Sequence, residues 1–411
     1  MIRITTLLLL TVLNTFISCA VDKDYNKLFN GTKKLIEPYG ICIHHNSPNS
    51  YDVLNREAIF SLVDSLGVNY SRCGIYYFSS DHERYESMND SVMNTISLHN
   101  KKYLPITMQT IDGVYPWEKW PKYSSWLDYC ITRYGGQLRE WEIVNEIDIA
   151  RRNLVSKKQR AHEYSDLLKK VYVQIKAKDK NLQVVMGGMA DFSGEFFETL
   201  LNDNALDYCD IMNIHYYTYR GEPETILPKL KKLSKQLKKA SFEGPLWVTE
   251  TGYPTGVTSN ISEEKQAQRI ARSHLICFAS GVDKVFWYNL RAYERDSLDN
   301  ENQFGIVHKD LSPKQGYYAY KTMTTMCPGN SSRPELQIMG TTYLCSWIRP
   351  DRKRVWAIWN SEGIKNIMLK ISGHPVLYDY MGNRLTNVSS DEITIGQGVI
   401  YIVDAKKVDF K

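Results

Sequence analysis

The 411-residue chain lacks most of what would mark it for nucleic acid, nucleotides or metal. Its formal net charge is only +5, and one lysine-rich segment is its sole block of like charge, so composition gives no push towards a polyanion. No G-x-G-x-x-G loop follows the first strand-like run and no P-loop occurs anywhere, which removes the usual dinucleotide and phosphate cradles. There is no HExxH pair, and the eight cysteines show no CxxC pair or metal-ligand spacing. Low-complexity segments and fixed-period repeats are absent too. Apolar runs long enough to span a bilayer are missing.

What is present is a large core. Hydrophobic residues make up 43% and aromatics 12% of the chain, enough for one big α/β domain with a small addition. At the start, Arg3, the stretch "LLLLTVLNTF" and the ending "FISCA" read as an export signal. That ending resembles a bacterial lipobox, which implies a signal peptide over 1–18, a lipid-bearing Cys19 and a tether over 19–36, although plain signal cleavage stays open. The expectation is an exported cell-envelope lipoprotein, on the outer membrane, the surface or a periplasmic face. Setting Cys19 aside leaves seven cysteines, an odd number that argues against a full disulfide framework. Cys42, Cys73 and Cys209 fall inside strand-like runs, where a small thiol packs well.

From about residue 39 to 327 short β-rich runs alternate with longer helical patterns. The runs "YGICIHH", "VNYSRCGIYYF", "YLPITMQ", "LREWEIVNE", "LQVVMGG", "CDIMNIHYY", "PLWVTE" and "DKVFWYNL" give eight βα units, which predicts a (β/α)8 TIM barrel over 37–330. The lysine run "PKLKKLSKQLKKA" carries Leu230, Leu233 and Leu237 at helical spacing, so its lysines form the solvated face of the sixth barrel helix. Short β runs split by Gly, Asn, Asp and Pro then predict a small, β-sandwich-like antiparallel domain over 335–407.

In such a barrel, functional side chains gather at the C-terminal ends of the strands. Glu146 ends the fourth run, after Asn145, and Glu250 ends the seventh. Either acid alone could cap a helix or brace a loop. Together, across one barrel mouth, they match the carboxylate pair that retaining glycoside hydrolysis needs, roughly 5–5.5 Å apart. By strand alternation Glu142 lies on the same face, deeper in the barrel, where it needs a partner such as Arg72. His44 and His45 close the first run; alternation gives His44 a core role and leaves His45 for the site.

Here "WEIVNE" resembles the acid/base strand of clan A glycoside hydrolases, and "WVTETGYP" resembles their nucleophile strand. The resemblance implies general acid/base chemistry for Glu146, nucleophilic attack by Glu250, and a grip on the sugar 2-hydroxyl by Asn145. It extends to Arg72, His215, Tyr217 and Trp287 at strand ends. Sugar hydrogen bonding falls to His45 and His215, and stacking on pyranose faces to Trp117, Tyr253 and Trp287. No metal or organic cofactor is required. "VTETGYPT" further resembles the nucleophile signature of glycoside hydrolase family 17, implying β-1,3-glucan as the first substrate, with mannan, xylan and galactan open. The expected partners are a carbohydrate and, through the lipid anchor, a membrane, with no nucleic acid. A transglycosylase or a non-hydrolytic glycan-binding lipoprotein is the alternative.

Overall fold

The computed structural model describes residues 21–45, 47–76, 81–150, 155–219, 221–293, 298–386 and 392–411. The expected signal peptide and Cys19 lie outside them. Eight short parallel strands, β1 (Tyr39–Cys42), β2 (Tyr70–Gly74), β3 (Lys102–Ile106), β4 (Glu140–Ile143), β5 (Gln183–Met186), β6 (Met212–His215), β7 (Leu246–Thr251) and β8 (Lys284–Trp287), form the central sheet. Helices alternate with them: α1 (Arg56–Ser65), α2 (His82–Leu98), α3 (Trp120–Tyr134), α4 (Lys157–Lys178), α5 (Glu195–Asn202), α6 (Ile226–Lys239), α7 (Glu263–Ser280) and α8 (Gln315–Met326).

The strands run in the order β5-β4-β3-β2-β1-β8-β7-β6, and bridges Val185–Ile211 and Met189–Ile214 join β5 to β6. The sheet is therefore a closed barrel, with no open edge on this side of the molecule. Tyr70, Leu104, Val185, Ile211, Trp247 and Phe286 fill its interior, as bulky inward side chains do in such barrels. Outside, α6 buries Leu230, Leu233 and Leu237 and turns most of its lysines to solvent. Helix ends are fixed locally: the Ser262 side chain accepts from the Lys265 N–H to start α7, and Gly281 at φ 106 ends it.

The C-terminal part is antiparallel: β9 (Glu335–Met339), β10 (Thr342–Ile348), β11 (Arg354–Asn360), β12 (Lys365–Tyr378), β13 (Arg384–Leu385), β14 (Glu392–Ile395) and β15 (Ile400–Phe410). The long β12 serves three partners, β14 with its first residues, β15 along the rest and β13 at its end, and the register with β15 shifts at Gly373. Trp347, Trp359 and Tyr401 are buried in the same hydrophobic cluster as the barrel's outer layer, so the sheet is bonded to the barrel by a shared core. The Trp347 indole donates to the Met326 carbonyl at 2.9 Å, and the Trp359 indole to Glu224 at 2.7 Å.

Residues 21–36 do not hang free as a tether. Asp22 bridges to Ile338 and Lys34 to Ser332, which covers part of edge strand β9. Between them the chain crosses beneath the barrel, donating from Lys27 and Phe29 to the carbonyls of Ala279 and Ser280. All seven cysteines among the described residues are free and buried. No helix among those residues is long and apolar enough to cross a membrane.

Candidate active site

The mouth of the barrel begins where the strands stop. β4 ends at Ile143, and the chain reaches Glu146 through backbone with φ 56 at Val144 and φ 44 at Glu146. A left-handed conformation is costly for a side chain, most of all a β-branched one. Neighbouring strands hold it: Val144 N–H donates to Thr107 Oγ1 at 2.9 Å, and Glu146 N–H to the Gly188 carbonyl at 3.0 Å. Backbone strain of this kind persists where surrounding contacts over-determine it, commonly at functional sites.

Glu250, in contrast, lies within β7. Its two oxygens are held from two sides, by Arg72 Nη1 at 2.6 Å and the Tyr217 hydroxyl at 2.6 Å. Arg72 is 2% exposed and spreads its other nitrogens over Glu142, at 2.7 and 2.8 Å, and Asn145 Oδ1, at 2.8 Å. The expected Glu142–Arg72 pairing is thus present as a bidentate ion pair, the geometry in which a guanidinium is best satisfied. Asn145 spends its carbonyl on Arg72 and keeps its amide N–H groups for whatever enters.

Between the two acids stands His215. Nδ1 is 2.9 Å from Glu146 and 3.5 Å from Glu250, while Nε2 meets Thr249 Oγ1 at 3.0 Å. It is fully buried, so it braces both acids and does not reach a sugar, contrary to the sequence expectation. Gly188 makes this possible, since a Cβ there would fall onto the imidazole. Burial works to lower the His215 pKa, but Glu250 and Glu146 outweigh it and raise it. Burial likewise works to raise the Glu250 carboxyl, yet the charges of His215 and Arg72 and the Tyr217 and Arg72 hydrogen bonds hold it below the usual range. One carboxylate oxygen from each acid and one ring nitrogen lie within 4.8 Å of one another. That donor set could hold a cation in principle, but Arg72 and a His215 biased towards its charged form already supply positive charge there.

A cavity of about 400 Å³ opens beside the pair, lined by Arg72, Asn145 and Glu250 and by the ends of β1, β2, β3 and β8. His44 and Tyr288 line it; the lining does not include His45, Trp287, Tyr253 or Trp117. His45 instead stacks on Phe60, rings 5.8 Å apart, inside the helix layer. Trp287 is fully buried against His274 of α7 and Tyr253. Tyr253 lies beneath the Arg269 guanidinium at 4.7 Å. Trp117 stacks on Tyr115 at 4.9 Å within its own loop. At β1 and β8 the inward residue is one position away from the expected one: Cys42 and His44 share the parity that faces the cavity, as do Phe286 and Tyr288, and His45 and Trp287 turn outwards into the helix layer. Two contributors escaped the sequence reading as site residues: Thr249, next to the nucleophile position, and Glu301, which accepts from the Tyr288 hydroxyl. Glu301 lies in a short 3-10 helix, Asn300–Gln303, with no strand-end signal to flag it.

No protein-family model matches the chain, and no curated protein matches it by sequence. Solved structures do. A family 39 glycoside hydrolase from the gut symbiont Bacteroides cellulosilyticus WH2 superposes with a TM-score of 0.74 at 21% identity, covering 94% of this chain and 82% of that one. The chain has the fold of a clan A glycoside hydrolase. A family 30 endoxylanase from Clostridium papyrosolvens C71 gives 0.60 at 15% identity, with 91% and 97% covered. A family 51 α-L-arabinofuranosidase from Bifidobacterium longum gives 0.63 at 12%, with 92% and 98% covered. The likeness spans barrel and β domain alike, whereas the family 17 resemblance is confined to the nucleophile motif.

Proposed function

We propose that the chain is a retaining β-glycosidase with Glu250 as nucleophile and Glu146 as general acid/base. The observation that carries this reading is the pair's geometry. Carboxylate oxygens within 4.8 Å across β4 and β7 suit direct attack by one acid, while inverting enzymes need about 6.5–9.5 Å to seat a water. Arg72 and Tyr217 hold Glu250 as an anion ready to attack the anomeric carbon. Glu146, on the lip, gives its proton to the departing oxygen. The covalent glycosyl-enzyme then breaks down when Glu146 takes a proton from water, which attacks the same carbon and restores both acids.

For substrate, we place xylan-type and related β-linked polysaccharides ahead of β-1,3-glucan. The support is that the solved structures sharing the whole architecture include an endoxylanase, a β-xylosidase and an arabinofuranosidase by name. The lipid anchor at Cys19 belongs to the same proposal, resting on the sequence.

The test is product analysis on xylan, arabinoxylan, mannan, galactan and β-1,3-glucan, with wild type beside Glu250→Gln. Wild type should release sugars with retained anomeric configuration, read by proton NMR, and the variant should lose turnover by about 10³-fold or more while still binding sugar. Inversion, or full activity in Glu250→Gln, would sink the assignment.

A further inference from the structure

The 400 Å³ cavity is lined by Glu250 but not by Glu146. The sugar that bonds to Glu250 therefore enters it, and the leaving group departs on the other side of the pair. A second cavity of about 380 Å³ opens between the loops that follow β6 and β7, and its Tyr219 feels the charges of both Glu146 and Glu250. One wall is Tyr219, another is the turn at 258–261, and the third is Lys265 with Arg269, one turn apart on α7.

Tyr219 joins the two places. Its ring stacks on Tyr217 at 5.7 Å, nearly parallel, and Tyr217 is the group that donates to Glu250. Half of Tyr219 is exposed, which leaves a face available to a sugar next to the scissile bond.

The cavity's charge is positive and incompletely used. Arg269 gives Nη2 to Glu222 at 2.7 Å, while its Nη1 is buried without a hydrogen-bond partner. A buried donor left unpaired is costly and needs a reason. Glu222 and Glu224 are balanced by Arg269 and Arg272, so Lys265 is surplus. Its neighbours in the first turn of α7 face elsewhere: Glu263 approaches His308 at 3.4 Å and Glu264 accepts from Gln268 at 3.2 Å.

We propose that this cavity is a leaving-group-side subsite for a sugar unit carrying an anionic substituent, a carboxylate or a sulfate ester, received by Lys265 and Arg269. The inference rests on the glycosidase reading and narrows its substrate to an acidic or acid-decorated β-glycan. An uncharged substrate fills the 400 Å³ cavity equally well but leaves the Lys265 charge and the Arg269 donor unanswered.

Calorimetry in the Glu250→Gln background tests it, using oligosaccharides of whichever backbone the wild type cleaves, in uronate-substituted, sulfated and carboxyl-reduced forms. At low salt an acidic form should bind about tenfold tighter than the reduced one, and the two acidic arms tell carboxylate from sulfate. Lys265→Met, at an exposed position, should shrink that preference to about twofold or less, and added salt should weaken it. Arg269→Gln should do the same if it folds. Equal binding of all three forms, or a preference that Lys265→Met leaves intact, overturns the subsite while leaving the glycosidase standing. Failure of the wild type to cleave any backbone would remove the glycosidase reading and this inference with it.

Discussion

Tyr217 donates a single hydrogen bond to Glu250, and that bond can be isolated. Tyr217→Phe keeps the ring stacked on Tyr219 and edge-on to Tyr288 but removes a donor to the anion, so the Glu250 pKa should rise. The acidic limb of the kcat/KM profile should shift upward by about one pH unit, read from pH–rate curves. His45 makes a different prediction. Burial pushes its pKa from the ordinary 6.5 down to about 4, and neither ring nitrogen has a partner. The unfolded chain binds the extra proton between those values, so stability is full above about 6.5 and is lost as pH falls towards 4, by about 3 kcal/mol. His45→Phe should flatten that loss in Tm measured against pH. Alternation along the first run exchanged the roles of His44 and His45. Side-chain parity is legible only once one residue of a run is placed, and nothing in the first run says that Cys42, and with it His44, faces the cavity.

At the scale of elements, all eight barrel strands were legible from their apolar runs, and each proved shorter than its run or shifted at its end. The surplus residues are those that leave the strand to build the mouth, and their backbone is not that of a strand. Glu146 reaches the lip through left-handed residues, so its inward placement agreed with a period-two reading for a reason that reading did not contain. The Glu142–Arg72 pair, deeper and inside regular strands, followed alternation correctly. Gly188 shows what a single sequence hides: nothing in "VVMGG" announces that the second glycine makes room for an imidazole from the next strand. Gly188→Ala should displace His215 and with it both acids, lowering kcat/KM by about a hundredfold. Overpacking should also cost about 1–3 kcal/mol, visible in Tm, with the secondary structure retained by circular dichroism.

For the whole molecule, the change of texture after residue 330 was legible, but the dependence of one part on the other was not, since no local pattern reports which tryptophans are shared. Trp347 and Trp359 sit in the barrel's own cluster. A chain cut after residue 330 should therefore aggregate or bind a hydrophobic dye, and the full chain should unfold in one calorimetric transition; two separate transitions would contradict a common core. Substrate identity stayed illegible because loops set it and loop shape has no period to read.

The segment at 21–36 passes beneath the barrel, against the ends of the strands farthest from the acids. Asp22 pairs with Ile338 and Lys34 with Ser332, so this stretch ties the base of the barrel to the C-terminal sheet at both of its ends.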